Sequence, residues 1–190
     1  MIKKIGIFGG SFNPIHRGHI ALAKWLKEQC TFDEIWLNLS PQNPLKEELL
    51  GANDEQRKKM LTLACEKLDG IKPSFVEFDL PKPSYTVDTL KYLAKLHPDF
   101  KFSLIIGADN WEIFNKWRDP QTILNEFGVI VYPRPGYNVV TEKIDGMVYY
   151  ASAPVLDISS TEIRNSTDKF NSMLPPSVAE YINKNHLYGK

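Results

Sequence analysis

"GGSFNPIHRGH", residues 9–19, follows the short apolar run "IGIF" (5–8). The apolar run reads as the end of a first β-strand, and the segment after it leads into the start of a helix. Two glycines, a proline and two histidines three apart crowd a turn that needs none of them merely to connect a strand to a helix. It is neither the dinucleotide fingerprint GxGxxG nor the GxxxxGK[ST] phosphate loop, yet the physics is related. Gly9 and Gly10 permit backbone geometry closed to other residues and let a ligand approach the main chain. The helix start offers free N–H groups and a dipole that favours an anion. His16 and His19 would face one side there, with Gly18 between them leaving room for a bulky ligand. A histidine metal pair is the competing reading, but no third ligand stands near in sequence, so no metal site is assigned to the protein.

Outward from this turn the pattern alternates. Strands are expected at 3–8, 34–40, 74–80, 101–108, 128–133 and 147–152, and helices at 19–30, 54–68 and 86–97. Leu22, Trp25, Leu26 and Cys30 would share one helix face. Thr86 is expected as an N-cap, with Pro98 closing that helix. A short helical piece is expected around 109–117, and "PSVAEYINKN" reads as a C-terminal helix. Strands alternating with helices predict an α/β fold: one Rossmann-like domain over 1–190, its parallel sheet covered by helices on both faces. Ligands in such folds sit at the carboxyl ends of the strands, where the strand order switches.

The bulk numbers narrow the function classes. The chain has 190 residues, 43% of them hydrophobic, and 23 basic residues balance 23 acidic ones. A balanced charge gives no broad field for a nucleic acid or an anionic membrane, so neither is expected as a partner. Cys30 and Cys65, without CxxC spacing, read as reduced thiols. The N-terminus lacks a signal-peptide core and no stretch is long enough to span a bilayer, which points to the cytoplasm.

A second segment, "ISSTEIR" (158–164), sets hydroxyls and an arginine around a helix start. It fits a phosphate cradle, with the planar Arg164 fork as its cation, and equally an ordinary capping box. Two anion sites far apart in one chain suggest a single long polyanionic ligand.

Together these residues resemble a known family. "GSFNPIHRGH" matches the GxFxPxHxGH signature of the nucleotidyltransferase superfamily, and "ISSTEIR" matches its ISSTxIR partner. "SYTVDTL" (84–90), "IIGADN" (105–110), "KWRD" (116–119) and "YPRPGY" (132–137) look like internal segments of the bacterial nicotinate-nucleotide adenylyltransferases. The resemblance runs in order from residue 5 to about 165. It implies transfer of an adenylyl group from ATP, with Mg²⁺, to nicotinate mononucleotide, giving deamido-NAD and pyrophosphate in NAD synthesis.

By resemblance, His16, His19 and Arg164 would be the catalytic groups. Gly9, Gly10, Ser11, Phe12, Gly107, Asp109, Ser160 and Thr161 would bind ATP, Asp109 at the ribose. Tyr85, Thr86, Trp117 and Arg134 would hold the pyridine nucleotide, with Trp117 stacking on the ring. Residues 159–190 would complete the ATP phosphate site. The sequence departs from the family after the second strand: Leu45 stands where a histidine is common, which leaves Lys46 as that loop's cation for ATP. A homo-oligomer is compatible with the sequence. Alternatives are an enzyme preferring nicotinamide mononucleotide and a non-catalytic nucleotide sensor of the same fold.

Overall fold

A computed structural model describes residues 2–41, 51–137, 147–154, 158–165 and 170–189. Its strands are β1 (Lys3–Gly10), β2 (Glu34–Leu39), β3 (Ile71–Ser74), β4 (Phe100–Gly107), β5 (Val129–Tyr132) and β6 (Val148–Tyr150). They form one sheet in the order β3-β2-β1-β4-β5-β6, and every pairing is parallel. After β3 the chain crosses back over β1 to place β4 on its other side. The order therefore switches between β1 and β4, where a crevice opens at the strands' carboxyl ends.

The helices are α1 (Arg17–Gln29), α2 (Asp54–Cys65), α3 (Thr86–Leu96), α4 (Ala108–Glu112), α5 (Pro120–Thr122), α6 (Ser160–Asn165), α7 (Phe170–Met173) and α8 (Pro176–Lys184). Period-two alternation along the strands sorts the core into two layers. Phe8, Ile35, Leu37 and Ile105 face one side, against α1, α2 and α8 through residues such as Leu26, Met60 and Ile182. Ile5, Ile7, Leu104 and Val131 face the other, against α3 through Leu90 and Leu93 and against the π-helical turn Ile123–Phe127. Gly6 is needed on the first side. A Cβ there would come within 2.6 Å of Ile35 Cδ1 and 2.7 Å of Ile105 Cδ1.

Two local expectations are corrected. The strand expected at 74–80 lies earlier, at Ile71–Ser74, paired with Ile35–Asn38, and Val76–Asp79 is a 3₁₀ turn. Alternation in "VEFDL" imitates a strand, but the sheet gains more from burying Ile71, which is 2% exposed. Pro73 is tolerated because β3 is an edge strand. Thr86 is the first residue of α3, not its cap. Tyr85 occupies the cap position with extended backbone and no side-chain capping bond. Among the described residues no helix is long and apolar enough to cross a membrane.

Candidate active site

The crevice at the switch point is a cavity of about 440 Å³. Its floor is the carboxyl end of β1. Gly9 and Gly10 are extended strand residues and neither has a positive φ; the left-handed residue of the turn is Phe12, at φ 40. The glycines act through space instead. A Cβ on Gly9 would meet nothing within 4 Å, so the main chain there is open to the cavity, and one on Gly10 would come within 3.0 Å of the Phe12 ring. Phe12 folds back over Gly10 and stacks edge-on against His19, with ring centroids 5.1 Å apart.

His16 and His19 cap α1 reciprocally. The His19 main-chain N–H donates to His16 Nδ1 at 3.4 Å, and the His16 N–H donates to His19 Nδ1 at 3.3 Å. The rings stack with centroids 3.6 Å apart. Because both Nδ1 atoms accept, each neutral ring carries its proton on Nε2 and is left as a donor. Burial, with the Arg134 charge added, lowers the His16 pKa to about 4. Burial, His16 and Arg134 together hold His19 well below its usual range. Gly18 lies against this pair: a Cβ there would lie 3.0 Å from His16 Nδ1.

The second anchor arrives from the C-terminal part of the chain. Ser159 Oγ accepts from the Glu162 N–H at 3.0 Å, so Ser159 caps α6. Ser160 Oγ donates to the Pro14 carbonyl at 3.1 Å. Arg164 donates to the Asn13 carbonyl at 2.7 Å and to Thr161 Oγ1 at 3.1 Å. Ser159, Ser160 and Thr161 all line the cavity, whereas Arg164 is not among the lining residues. Residues that stand some 150 positions apart in the chain thus share one rim.

Of the other expected site residues, Ser11, Thr86, Gly107, Trp117 and Arg134 also line the cavity. Trp117 is half core, its ring centroid 5.3 Å from that of Phe114. Asp109 is not among the lining residues. It lies 3.6 Å from Arg134 Nε, and a side chain on Gly107 would collide with that pair. Arg134 also donates to Tyr132 Oη at 2.9 Å. Tyr85 is exposed, its ring under the Arg118 guanidinium at 4.7 Å, and is not a lining residue. Lys46 lies outside the described residues.

Sequence reasoning missed several participants. Arg57, 1% exposed, donates from Nη1 to the carbonyls of Ser11 (2.7 Å) and Ser40 (2.9 Å), tying the phosphate-loop candidate to the end of β2, and pairs with Asp54. Its signal was its place in the buried stripe with Met60, Leu61 and Ala64 on α2. Asn38 and Glu77 also line the cavity. Asn38 is a polar residue inside an apolar strand, which was a visible cue.

Comparisons with known proteins bear on the family and the fold. Residues 7–166 match the family described as Cytidylyltransferase-like. A protein of Flavobacterium johnsoniae named "Probable nicotinate-nucleotide adenylyltransferase" is 43% identical over 192 residues, covering 98% of this chain and all of its own. One of the same name from Bacteroides thetaiotaomicron is 43% identical over 182 residues, covering 94% of this chain and 90% of its own. The solved Plasmodium falciparum nicotinic acid mononucleotide adenylyltransferase complexed with NaAD superposes with a TM-score of 0.75 at 26% identity, over 98% of each chain. By sequence and by fold, this chain belongs to the Cytidylyltransferase-like family and, within it, to the nicotinate-nucleotide adenylyltransferases.

Proposed function

We propose that this protein transfers the adenylyl group of ATP to nicotinate mononucleotide, releasing pyrophosphate and forming deamido-NAD for NAD synthesis. The observation that carries the reading is the cavity at the β1/β4 switch point. Two imidazole donors, an open glycine backbone and the α6 hydroxyls stand together on one rim of it. A 5′-phosphate oxygen of the mononucleotide attacks the α-phosphorus of ATP in line. That P–O bond forms as the bond to the β-phosphate breaks, and pyrophosphate leaves with its electron pair. The nucleophile is already an anion, so no proton has to be removed. Alignment and charge stabilisation are what the protein must supply.

In this reading His19 and His16 donate from Nε2 to phosphate oxygens near the reacting phosphorus. Ser160, Thr161 and Arg164, with the backbone of Gly9 to Phe12, hold the departing phosphates. The donor set at this end consists of imidazoles, hydroxyls, a guanidinium and backbone amides, which suits anions. Mg²⁺ would enter with the ATP substrate and would supply charge neutralisation on the phosphates. Asp109 and Gly107 lie toward the adenosine, and Thr86 and Trp117 form the pyridine wall, with Trp117 stacking on the ring. Lys46 and Arg134 would add cations.

The test is a pyrophosphate-release assay with ATP and Mg²⁺, run in parallel on nicotinate and nicotinamide mononucleotides. Turnover with a preference of about tenfold or more for the acid in kcat/KM is expected. An equal or reversed preference would move the protein to nicotinamide mononucleotide, and no turnover with either would refute the reading.

A further inference from the structure

The wall of the cavity that carries Thr86 also carries its acidic residue, Glu77, which is half-buried in the 3₁₀ turn after β3. Each oxygen of this carboxylate has its own donor. Asn38 Nδ2, at the end of β2, donates to Oε1 at 2.7 Å, and Ser84 Oγ donates to Oε2 at 3.1 Å. The Ser40 side chain also acts on it, favouring the ionised form. Asn38 Oδ1 in turn accepts from Ser74 Oγ, the last residue of β3, at 3.0 Å. Asn38 and Ser74 are 2% and 8% exposed, so neither has water as a substitute partner.

This chain of bonds joins four segments at one point. Ser84 stands two residues before Thr86, where α3 begins, and Thr86, Thr89 and Leu90 of α3 all line the cavity. The start of α3 has no capping side chain to fix it, since Tyr85 makes no such bond. Leu90 and Leu93 anchor the body of α3 in the core, and the Ser84–Glu77 bond ties the residues just before its first turn to the cavity wall. Burial pushes the Glu77 carboxyl up, while Ser84, Ser40 and Asn38 act in the opposite direction by favouring the ionised form. A carboxylate suits both donors at once and makes charge-assisted bonds with each, whereas an amide would accept at one oxygen and offer the Ser84 hydroxyl an N–H instead.

We infer that Glu77 is a positioning residue for the acceptor end of the active site, holding Asn38 and the Ser84–Thr86 segment in register so that α3 presents its first turn to the pyridine nucleotide. The inference rests on the adenylyltransferase reading above. It also distinguishes the two halves of the cavity, because among the described residues the bonds of Glu77, Asn38, Ser74 and Ser84 do not reach His16, His19 or α6.

The test is steady-state kinetics on the full-length chain with each substrate varied in turn. Glu77→Gln keeps the side-chain volume but supplies one acceptor and no charge, so either the Ser84 hydroxyl turns to accept from the new amide or the Asn38 amide reverses. What is lost is the pair of charge-assisted bonds rather than every contact; KM for nicotinate mononucleotide should rise severalfold and KM for ATP stay within about twofold. The pair N38D/E77Q restores the polarity of the network. The introduced glutamine amide would then donate to the introduced aspartate, and the glutamine carbonyl would accept from Ser84. The second oxygen of that aspartate would accept from Ser74. This pair should recover the acceptor KM to within about threefold of wild type. Equal rises in both KM values, loss of folded E77Q, or a swap no better than E77Q would assign Glu77 to general stability and overturn the inference. Normal wild-type turnover with an unchanged E77Q removes the inference alone. A wild type that does not turn over nicotinate mononucleotide removes the functional reading and the inference together.

Discussion

Protonating His16 would cost the fold twice, because its ring is 4% exposed and its Nδ1 is the acceptor that caps α1. Burial and the neighbouring Arg134 hold its pKa down at about 4, against an ordinary value near 6.5 in the unfolded chain. A histidine lowered on folding contributes fully above its unfolded pKa, and the contribution is lost as pH falls from about 6.5 toward 4. The shift corresponds to roughly 3 kcal/mol at the acid end of that window. The wild type should therefore show a marked fall in Tm between pH 7.5 and pH 5. Asn is a good N-cap and does not titrate, so His16→Asn should lose much of that fall while its Tm at pH 7.5 stays close to wild type. His19, also lowered, would supply the residual slope. A His16→Asn protein as acid-sensitive as wild type would show that the buried imidazole does not govern this limb.

At the scale of elements, strand β1 is set by crowding from both its neighbours. Gly6 is flanked by the Cδ1 atoms of Ile35 and Ile105, both fully buried, with a Phe32 ring carbon 3.2 Å away. An added methyl has to rotate two isoleucines into an already filled layer. Gly6→Ala should destabilise by about 1–3 kcal/mol, read as a shift in the urea midpoint. An unchanged midpoint would mean that the layer has slack. Elements such as β1 and β4 were legible in the sequence because their apolar runs carry the signal locally. β3 was not, because "VEFDL" alternates convincingly and only the partner strand decides which four residues pair. The site divides in the same way. The glycine–histidine turn and "ISSTEIR" each keep their chemistry within a few residues and could be read directly. Arg57, Asn38 and Glu77 become recognisable only when β2, α2 and the turn after β3 meet.

Across the whole molecule, the two ends of the chain are built into one rim. Arg17 Nε donates to the Leu174 carbonyl at 2.9 Å, which holds the start of α1 against the turn before α8. Arg164 reaches the Asn13 carbonyl from α6, and the Tyr188 hydroxyl, beyond α8, donates to Asn13 Oδ1. Asn13 is thus gripped from two C-terminal segments at the point where the first strand turns toward α1. Tyr188 is held at φ 59, an uncommon conformation for a residue with a side chain, and its ring packs over Gly51. Burial pushes its hydroxyl above the usual tyrosine range, so at neutral pH it is a donor. Tyr188→Phe removes that donor and keeps the ring. The fold should lose about 1 kcal/mol, the usual net value of one hydrogen bond, measured by urea titration. If the grip on Asn13 also aligns the phosphate loop, KM for ATP should rise severalfold while KM for the acceptor stays near wild type, because the Glu77 network does not include Asn13. A loss of stability with both KM values unchanged would limit Tyr188 to fastening the chain terminus. A matching rise in the acceptor KM would mean that the two halves of the cavity are mechanically joined through β1.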